Sequence, residues 1–349
     1  MSMVCGLDLH RAQVTFDALD VETDQTWRGR IWSPDRVRFR RWLTEELAPR
    51  ATDGKVAIAV EGCNGWRYIV EEIVAAGFEA HVAEPADTQA ARGRKKRAKT
   101  DRSDAKLMRE LLAAGELPES WIPPEAVLEW RERVRLYKTL LDQRRMWIQR
   151  IHAELFQHGA ALPEGQIPAL KTRQSLADDS LRLSPAARQR IAAGYQMLDA
   201  TDAVLVPLRE QIHNFGRHQP ACKALIAAHY GIGPLTAVVV WAELGDCQRF
   251  SRSMQVVRHT GLDVTVDQSD RHRSGGHLAR QGPPTLRWAL FEAGMAASRA
   301  TSPDRDYYQA VKKAHGGKIA GIAVARKLAR RCYHTLRQLD SQLVYAMPA

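Results

Sequence analysis

The sequence predicts an α/β sheet domain followed by a mostly helical region, and three observations carry that expectation. The first hundred residues alternate short apolar runs with segments of helical period. Residues 125–158 repeat apolar side chains at spacings of three and four. From Pro220 onward, small residues and glycine turns punctuate helical patterns. At 349 residues the chain is long enough for two or three domains, with boundaries expected at 1–118, 119–218 and 219–349.

Met3 to Leu9 is a short apolar strand, Ala12 to Val21 its hairpin partner, and Thr26 to Trp32 a third strand. Ser33 and Pro34 supply a helix cap and a first-turn proline, and Val37, Trp42, Leu43 and Leu47 follow with helical period. Lys55 to Val60 is a strand ending at Glu61; Trp66 to Ala76 is a helix stopped by Gly77; Phe78 to Ala83 is a strand ended by Pro85. The order β-β-β-α-β-α-β, hairpins first and crossovers after, defines a mixed sheet. A further helix runs from about Thr100 to Ala114, before Gly115. In the heptad segment Val127, Trp130, Val134, Tyr137, Leu141, Ile148, Ile151 and Leu155 form an apolar seam interrupted by Arg144. Such a seam serves either a neighbouring helix or an oligomer contact. Residues 159–184 are a polar connector. Ser184-Pro185 then opens a helix with Ile191, Leu198, Leu205 and Ile212 at intervals of seven, kinked at Pro207, and the two long helices form an antiparallel spacer. Beyond them, helix, Gly231-Ile232-Gly233 turn and helix resemble a helix-hairpin-helix. Residues 250–261 are helical, 262–273 a short hairpin, Ser274-Gly275-Gly276 a flexible turn, and 283–298 and 318–345 helical.

Fifty-one basic against forty acidic residues leave a net charge of +11, which favours a polyanionic partner. Arg92, Arg94, Lys95, Lys96, Arg97 and Lys99 crowd one acid-free segment, a phosphate-facing or merely solvated loop. The five cysteines are scattered without metal-ligand or disulfide spacing, which fits a reducing, cytoplasmic setting. No leader pattern and no apolar stretch long enough to span a membrane is present in the sequence, so no membrane partner is expected.

Four carboxylates stand out. Asp8 lies inside the apolar first strand, Glu61 ends a later strand, and Asp101 and Asp104 sit three apart behind the basic loop, on one helix face at about 5–6 Å. Singly, Asp8 could be an edge residue, Glu61 a strand end and Asp101 a helix-dipole acid. Together, converging acids need a cation, and a hard divalent ion such as Mg²⁺ suits oxygen ligands. Two such ions would clamp the oxygens of an in-line phosphoryl displacement.

These residues also carry a resemblance. Gly6-Leu7-Asp8-Leu9-His10, Val60-Glu61-Gly62 and Lys99-Thr100-Asp101-Arg102-Ser103-Asp104-Ala105 resemble the RuvC-like branch of the RNase H fold. With Tyr230-Gly231-Ile232-Gly233-Pro234, Thr260-Gly261-Leu262, Ser274-Gly275-Gly276 and Leu286-Arg287, nearly the whole chain is similar to insertion-sequence 110 transposases, the DEDD family of bridge-RNA-guided recombinases. One departure is Gln281-Gly282-Pro283-Pro284-Thr285, where the family commonly has a Gly-Asn pair.

The resemblance implies a catalytic domain over 1–118, a coiled-coil spacer for oligomerisation over 119–218 and a transposase domain over 219–349. It implies Mg²⁺, two ions, on Asp8, Glu61, Asp101 and Asp104, and a nucleophile at Ser274, with Ser269 as fallback. The product is a covalent phosphoserine, followed by strand exchange. The implied partners are double-stranded donor and target DNA, a noncoding guide RNA, and further copies of the chain in a dimer of dimers, all in a prokaryotic, nucleoid-associated setting. Serine needs activation to attack, and glycines after it admit a close phosphate. Arg273 and Arg280, with Arg271 and His272, are candidate phosphate contacts, and Gly231 and Gly233 could present backbone N–H groups to DNA. Two other classes fit the residues: a metal-dependent junction endonuclease that uses water, and a non-catalytic nucleic-acid-binding protein.

Overall fold

The computed structural model describes residues 2–91, 100–161, 165–176, 181–264, 267–269, 272–274 and 276–347. These form two compact units, 1–122 and 123–349.

The first unit is a six-stranded sheet with order β3-β2-β1-β4-β5-β6. Strands β1 (Met3–Leu9), β2 (Gln13–Asp20) and β3 (Thr26–Trp32) form an antiparallel meander. Strands β4 (Val56–Glu61) and β5 (Glu79–Ala83) add in parallel beside β1, and the two-residue β6 (Glu119–Ser120) closes the edge antiparallel. This is the mixed sheet that the strand order predicts and the RNase H-like sheet that the resemblance implies.

Alternation divides the strands between two faces. Cys5, Leu7, Val14, Phe16, Ile58 and Val60 face one core with Phe39, Trp42 and Ile73. That core is capped by α1 (Arg36–Arg41) with its π-helical continuation (Trp42–Leu47) and by α2 (Trp66–Ala75). The opposite face carries Val4, Ala57 and Ala59 against Met108 and Leu112 of α4 (Asp101–Ala114). Small side chains on this face let α4 lie close. Gly6 makes the contact possible, because a Cβ there would stand 2.0 Å from the Ala105 carbonyl oxygen.

Local chemistry differs from the sequence reading in three places. Ser33 adopts a left-handed φ of 46°, and the helix is capped instead by Asp35, whose carboxylate accepts from the Arg38 N–H at 2.8 Å. Pro85 ends β5 but also opens a short helix, α3 (Pro85–Ala91), consistent with proline's fitness for a first turn. Thr100 caps α4 in a reciprocal box with Ser103, as the helix start near Thr100 anticipates.

In the second unit α5 (Glu125–Gln157) and α7 (Pro185–His218) lie antiparallel. Trp130 stacks on Phe215 at 3.8 Å, Arg144 meets Asp202 at 2.7 Å, and Arg190 meets Glu154 at 3.3 Å. The heptad seam thus faces a helix of the same chain, and its polar member Arg144 is answered by an acid. Helix α7 continues through Pro207. The connector holds a short helix, α6 (Leu170–Leu176).

Helices α8 (Pro220–Ala228) and α9 (Pro234–Leu244) flank the glycine turn, followed by α10 (Ser253–His259). A two-stranded hairpin, β7 (Asp267–Ser269) and β8 (His272–Ser274), occupies the expected place, and Ser274 ends its second strand, paired with Asp267; Gly275, in the expected turn, lies outside the described residues. Helices α11 (Pro284–Met295), α12 (Arg305–His315), α13 (Gly317–Gln338) and α14 (Ser341–Tyr345) complete the unit. Among the described residues no helix is long and apolar enough to cross a membrane.

Candidate active site

The site is assembled at one end of β1. Asp8 points to the α4 face, by alternation from Leu7 on the opposite core, and is only 5% exposed. Strand β4 runs parallel beside β1 with Leu7 against Val60, so Glu61 is the next-strand neighbour of Asp8 on the same face, one strand spacing away, about 4.8 Å. Helix α4 starts above this point, its approach licensed by Gly6, and brings Asp101 in its first turn and the buried Asp104 one turn on.

His10, just beyond β1, links the two elements. Its Nε2 lies 3.1 Å from Asp8 Oδ2 and 3.6 Å from Asp101 Oδ1. Gln13, opening β2, donates its side-chain amide to Asp101 Oδ2 at 2.7 Å. Asp8, His10 and Asp101 each offer a ligand atom within 4.8 Å of the others. Glu61 and Asp104 flank this closest set. Burial pushes the Asp8 carboxyl above its ordinary range, His10 pulls it back, and Asp101 and Asp104 push it up again. A buried carboxylate among like charges is the electrostatic situation that a divalent cation relieves. Beside it the Thr15 hydroxyl, opposite Asp8 on β2, is buried with no hydrogen-bond partner among the described residues. Two carboxylates and an imidazole nitrogen, with two further acids adjacent, fit a divalent ion.

Farther along the same face, Asp17 on β2 is held by Arg109 of α4 at 2.7 Å and by Arg28 of β3 at 2.6 Å. This buried ion pair pins α4 to the sheet just past the acids.

The other predicted site residues are distributed as follows. Arg92, Arg94, Lys95, Lys96, Arg97 and Lys99 lie outside the described residues, as does Arg271. Ser274 and Arg273 lie on β8, described by their backbone. Arg280 is exposed with φ 54°, its N–H donating to the Gly261 carbonyl. Gly231 adopts φ 86°, and a Cβ there would stand 2.7 Å from the Ala293 carbonyl, so its conformation and its packing on α11 both require glycine. Gly233 caps α9 in open space. On the last helices Arg331 is engaged by Asp304 at 2.6 Å, Arg337 by the Phe250 carbonyl at 2.7 Å, and Lys327 by the Tyr307 ring; these contacts hold the helices together.

Sequence reasoning left His10 and Gln13 without a role. The available signal for His10 was its spacing of two from Asp8, the period of a strand face; Gln13 was signalled only by the hairpin register.

An RNase H-like sheet with carboxylates gathered at the end of its first strand defines the class: a DEDD-type domain. Comparison with known proteins gives the particular family. The family described as Transposase IS116/IS110/IS902 matches residues 223–309, and the DEDD transposase family of IS110 elements matches residues 5–159. The chain belongs to the IS110/IS116/IS902 transposase family, with a DEDD N-terminal domain and the family's characteristic C-terminal domain. Among its relatives, "Putative transposase y4rJ" of Sinorhizobium fredii is 27% identical over 259 residues, 68% of this chain and 64% of the relative. The "Transposase for insertion sequence element IS1111A" of Coxiella burnetii is 22% identical over 282 residues, 77% of this chain and 74% of the relative. The chain therefore spans just under two thirds of the first relative's length.

Proposed function

We propose that this chain is a DNA transposase that cuts and exchanges strands of a mobile insertion sequence, using divalent ions at the β1–α4 carboxylates and Ser274 as nucleophile. The observation that carries the reading is the meeting of Asp8, His10 and Asp101 within 4.8 Å, with Glu61 as register neighbour, in a chain of this family.

The residues that would hold the ions are Asp8, Asp101 and His10 Nε2, with Glu61 and Asp104 beside them; we take the ions to be two Mg²⁺. Bound there, they supply charge that offsets the phosphoryl oxygens and Lewis acidity toward a phosphodiester. The chain's own contribution is to hold the carboxylates together and oriented. Gln13 fixes Asp101 by donating to Oδ2, and the Arg109–Asp17 pair keeps α4 seated so that Asp101 and Asp104 stay above Asp8.

In the chemical step the Ser274 hydroxyl oxygen forms a bond to phosphorus and one P–O bond of the DNA backbone breaks. The serine proton passes to a base and the released strand end takes one up. The resulting phosphoserine conserves the bond energy for rejoining to a new strand. Delegation of sequence reading to a noncoding guide RNA, and assembly as a dimer of dimers with α5 and α7 in the spacer, complete the proposal; both rest on family resemblance. The functional division into 1–118, 119–218 and 219–349 belongs to the same reading.

The test is incubation of protein, candidate RNA and labelled DNA with Mg²⁺, followed by denaturing electrophoresis. Wild type should yield a protein–DNA adduct, and Ser274→Ala should yield none. Cleavage that persists in Ser274→Ala without any adduct would assign the reaction to a water-using endonuclease instead.

A further inference from the structure

β3 is the free edge of the sheet, and its outer face is chemically distinctive. Arg28, Arg30 and Trp32 alternate along it and are exposed, with Trp32 at 60%. Cross-strand register ties this row to the carboxylates. Arg30 is paired with Thr15, and Thr15 with Asp8, so the three side chains stand on one face. Arg30 is then two strand spacings from Asp8, about 10 Å. Trp32 is paired with Gln13, the residue that holds Asp101. On the other side α4 contributes Arg102 and Lys106, and these walls enclose a cleft of about 570 Å³.

The charges in the cleft are not balanced internally. Its one acid, Asp17, is already matched by Arg109 and Arg28. Arg30 and Arg102 have no acidic partner among the described residues, and the Arg30 guanidinium sits 5.7 Å from the Trp32 ring centroid. A large aromatic left in solvent beside unmatched guanidinium groups is poor as core packing. It suits a chain that offers phosphates to the cations and a flat base to the indole. A paired duplex hides its base faces, whereas an unpaired strand exposes them.

We propose that the β3 edge is a binding site for an unpaired stretch of the DNA strand that passes through the carboxylates, with a base stacked on Trp32 and phosphates on Arg30 and Arg102. At about 3.4 Å per stacked nucleotide, the site lies about three nucleotides from the acids. Trp32 and Arg30 are thus positioning residues: they hold the strand on one side of the scissile bond. The choice of DNA rests on the transposase reading above; the existence of the site does not depend on Ser274 or on bound ions.

The experiment measures fluorescence anisotropy of the full chain with a labelled single-stranded DNA 20-mer, its duplex, and RNA of the same sequence, all in EDTA so that cutting plays no part. Trp32→Ala should weaken single-stranded DNA binding by about 5- to 150-fold, the value of one stacked base, with Trp32→Phe restoring most of it and duplex binding unchanged. Arg30→Ala with Arg102→Ala should reduce the salt slope on the single strand by about 1.4, at 0.7 per phosphate. Since the three side chains are surface groups, unfolding midpoints should match wild type. Unchanged affinity and slope for single-stranded DNA would overturn the inference, as would a Trp32→Ala loss confined to the RNA probe or equal on the duplex. A wild type that forms no adduct yet needs Trp32 for single strands would refute the proposed chemistry and leave this site standing.

Discussion

Asp8 is retained at an energetic cost. Its carboxyl is buried in a strand and pressed by Asp101 and Asp104, so its ionised form is disfavoured in the fold relative to the open chain. Asp8→Asn should therefore raise the thermal unfolding midpoint, read by calorimetry at pH 7 without divalent ions, while lowering strand cleavage by more than about 10²-fold. A fall in the midpoint would mean that Asp8 is a structural residue. Gly6 carries the opposite kind of constraint. Gly6→Ala drives a Cβ into the Ala105 carbonyl, costing about 1–3 kcal/mol in urea unfolding and moving Asp101 and Asp104 off Asp8, so that activity falls with stability. Asp8 and Glu61 were legible in the sequence because a charge inside or at the end of an apolar strand breaks the pattern around it. Gln13 was not, since its meeting with Asp101 is made by a hairpin turn and a helix approach that no local pattern encodes, and for His10 the spacing of two from Asp8 gave the only signal. The β3 strip was likewise hidden: Arg30 and Trp32 sit in a predicted third strand, and only the register sets them beside the acids.

At the scale of elements, the second unit is tied by Glu243 of α9, 1% exposed, which accepts from Nε and Nη2 of Arg135 at 2.8 Å each and meets Arg131 of α5 at 3.5 Å. Glu243→Gln removes the carboxylate charge that faces the largely buried Arg131 and should cost about 3 kcal/mol, seen as a lower denaturant midpoint. His259 of α10, near the same cluster, is held neutral mainly by burial and further by Arg249 and Arg131, its pKa lowered to about 4. The unfolded imidazole takes up its proton near pH 6.5, above the folded one, so stability is full above pH 6.5 and declines as pH falls toward 4. The loss is on the order of 3 kcal/mol. His259→Gln should flatten that part of the stability–pH curve; a curve parallel to wild type would contradict it. Long elements declared themselves through periodicity, as α5 and α7 did. Short ones did not: α12 buries little beyond Tyr308, and α3 begins at a proline that also ends a strand. Small propensity differences decide such segments only when packing is added.

For the whole molecule, an excess of eleven positive charges and a transposase family identity point to nucleic acid, yet charge alone does not locate chemistry. The proposal places it at the carboxylate cluster, a candidate divalent-ion site. Removal of Mg²⁺ by EDTA should abolish cleavage while leaving nucleic-acid binding in place, and Mg²⁺ should raise the unfolding midpoint of wild type but not of Asp8→Asn. The most direct measurement joins the two halves of the account. Protein, RNA, Mg²⁺ and labelled DNA are incubated, the chain is digested, and the DNA-linked peptide is identified by mass. The account expects the strand esterified to Ser274, with none in Asp8→Asn. A linkage at another residue, or one that forms undiminished in Asp8→Asn, would contradict it.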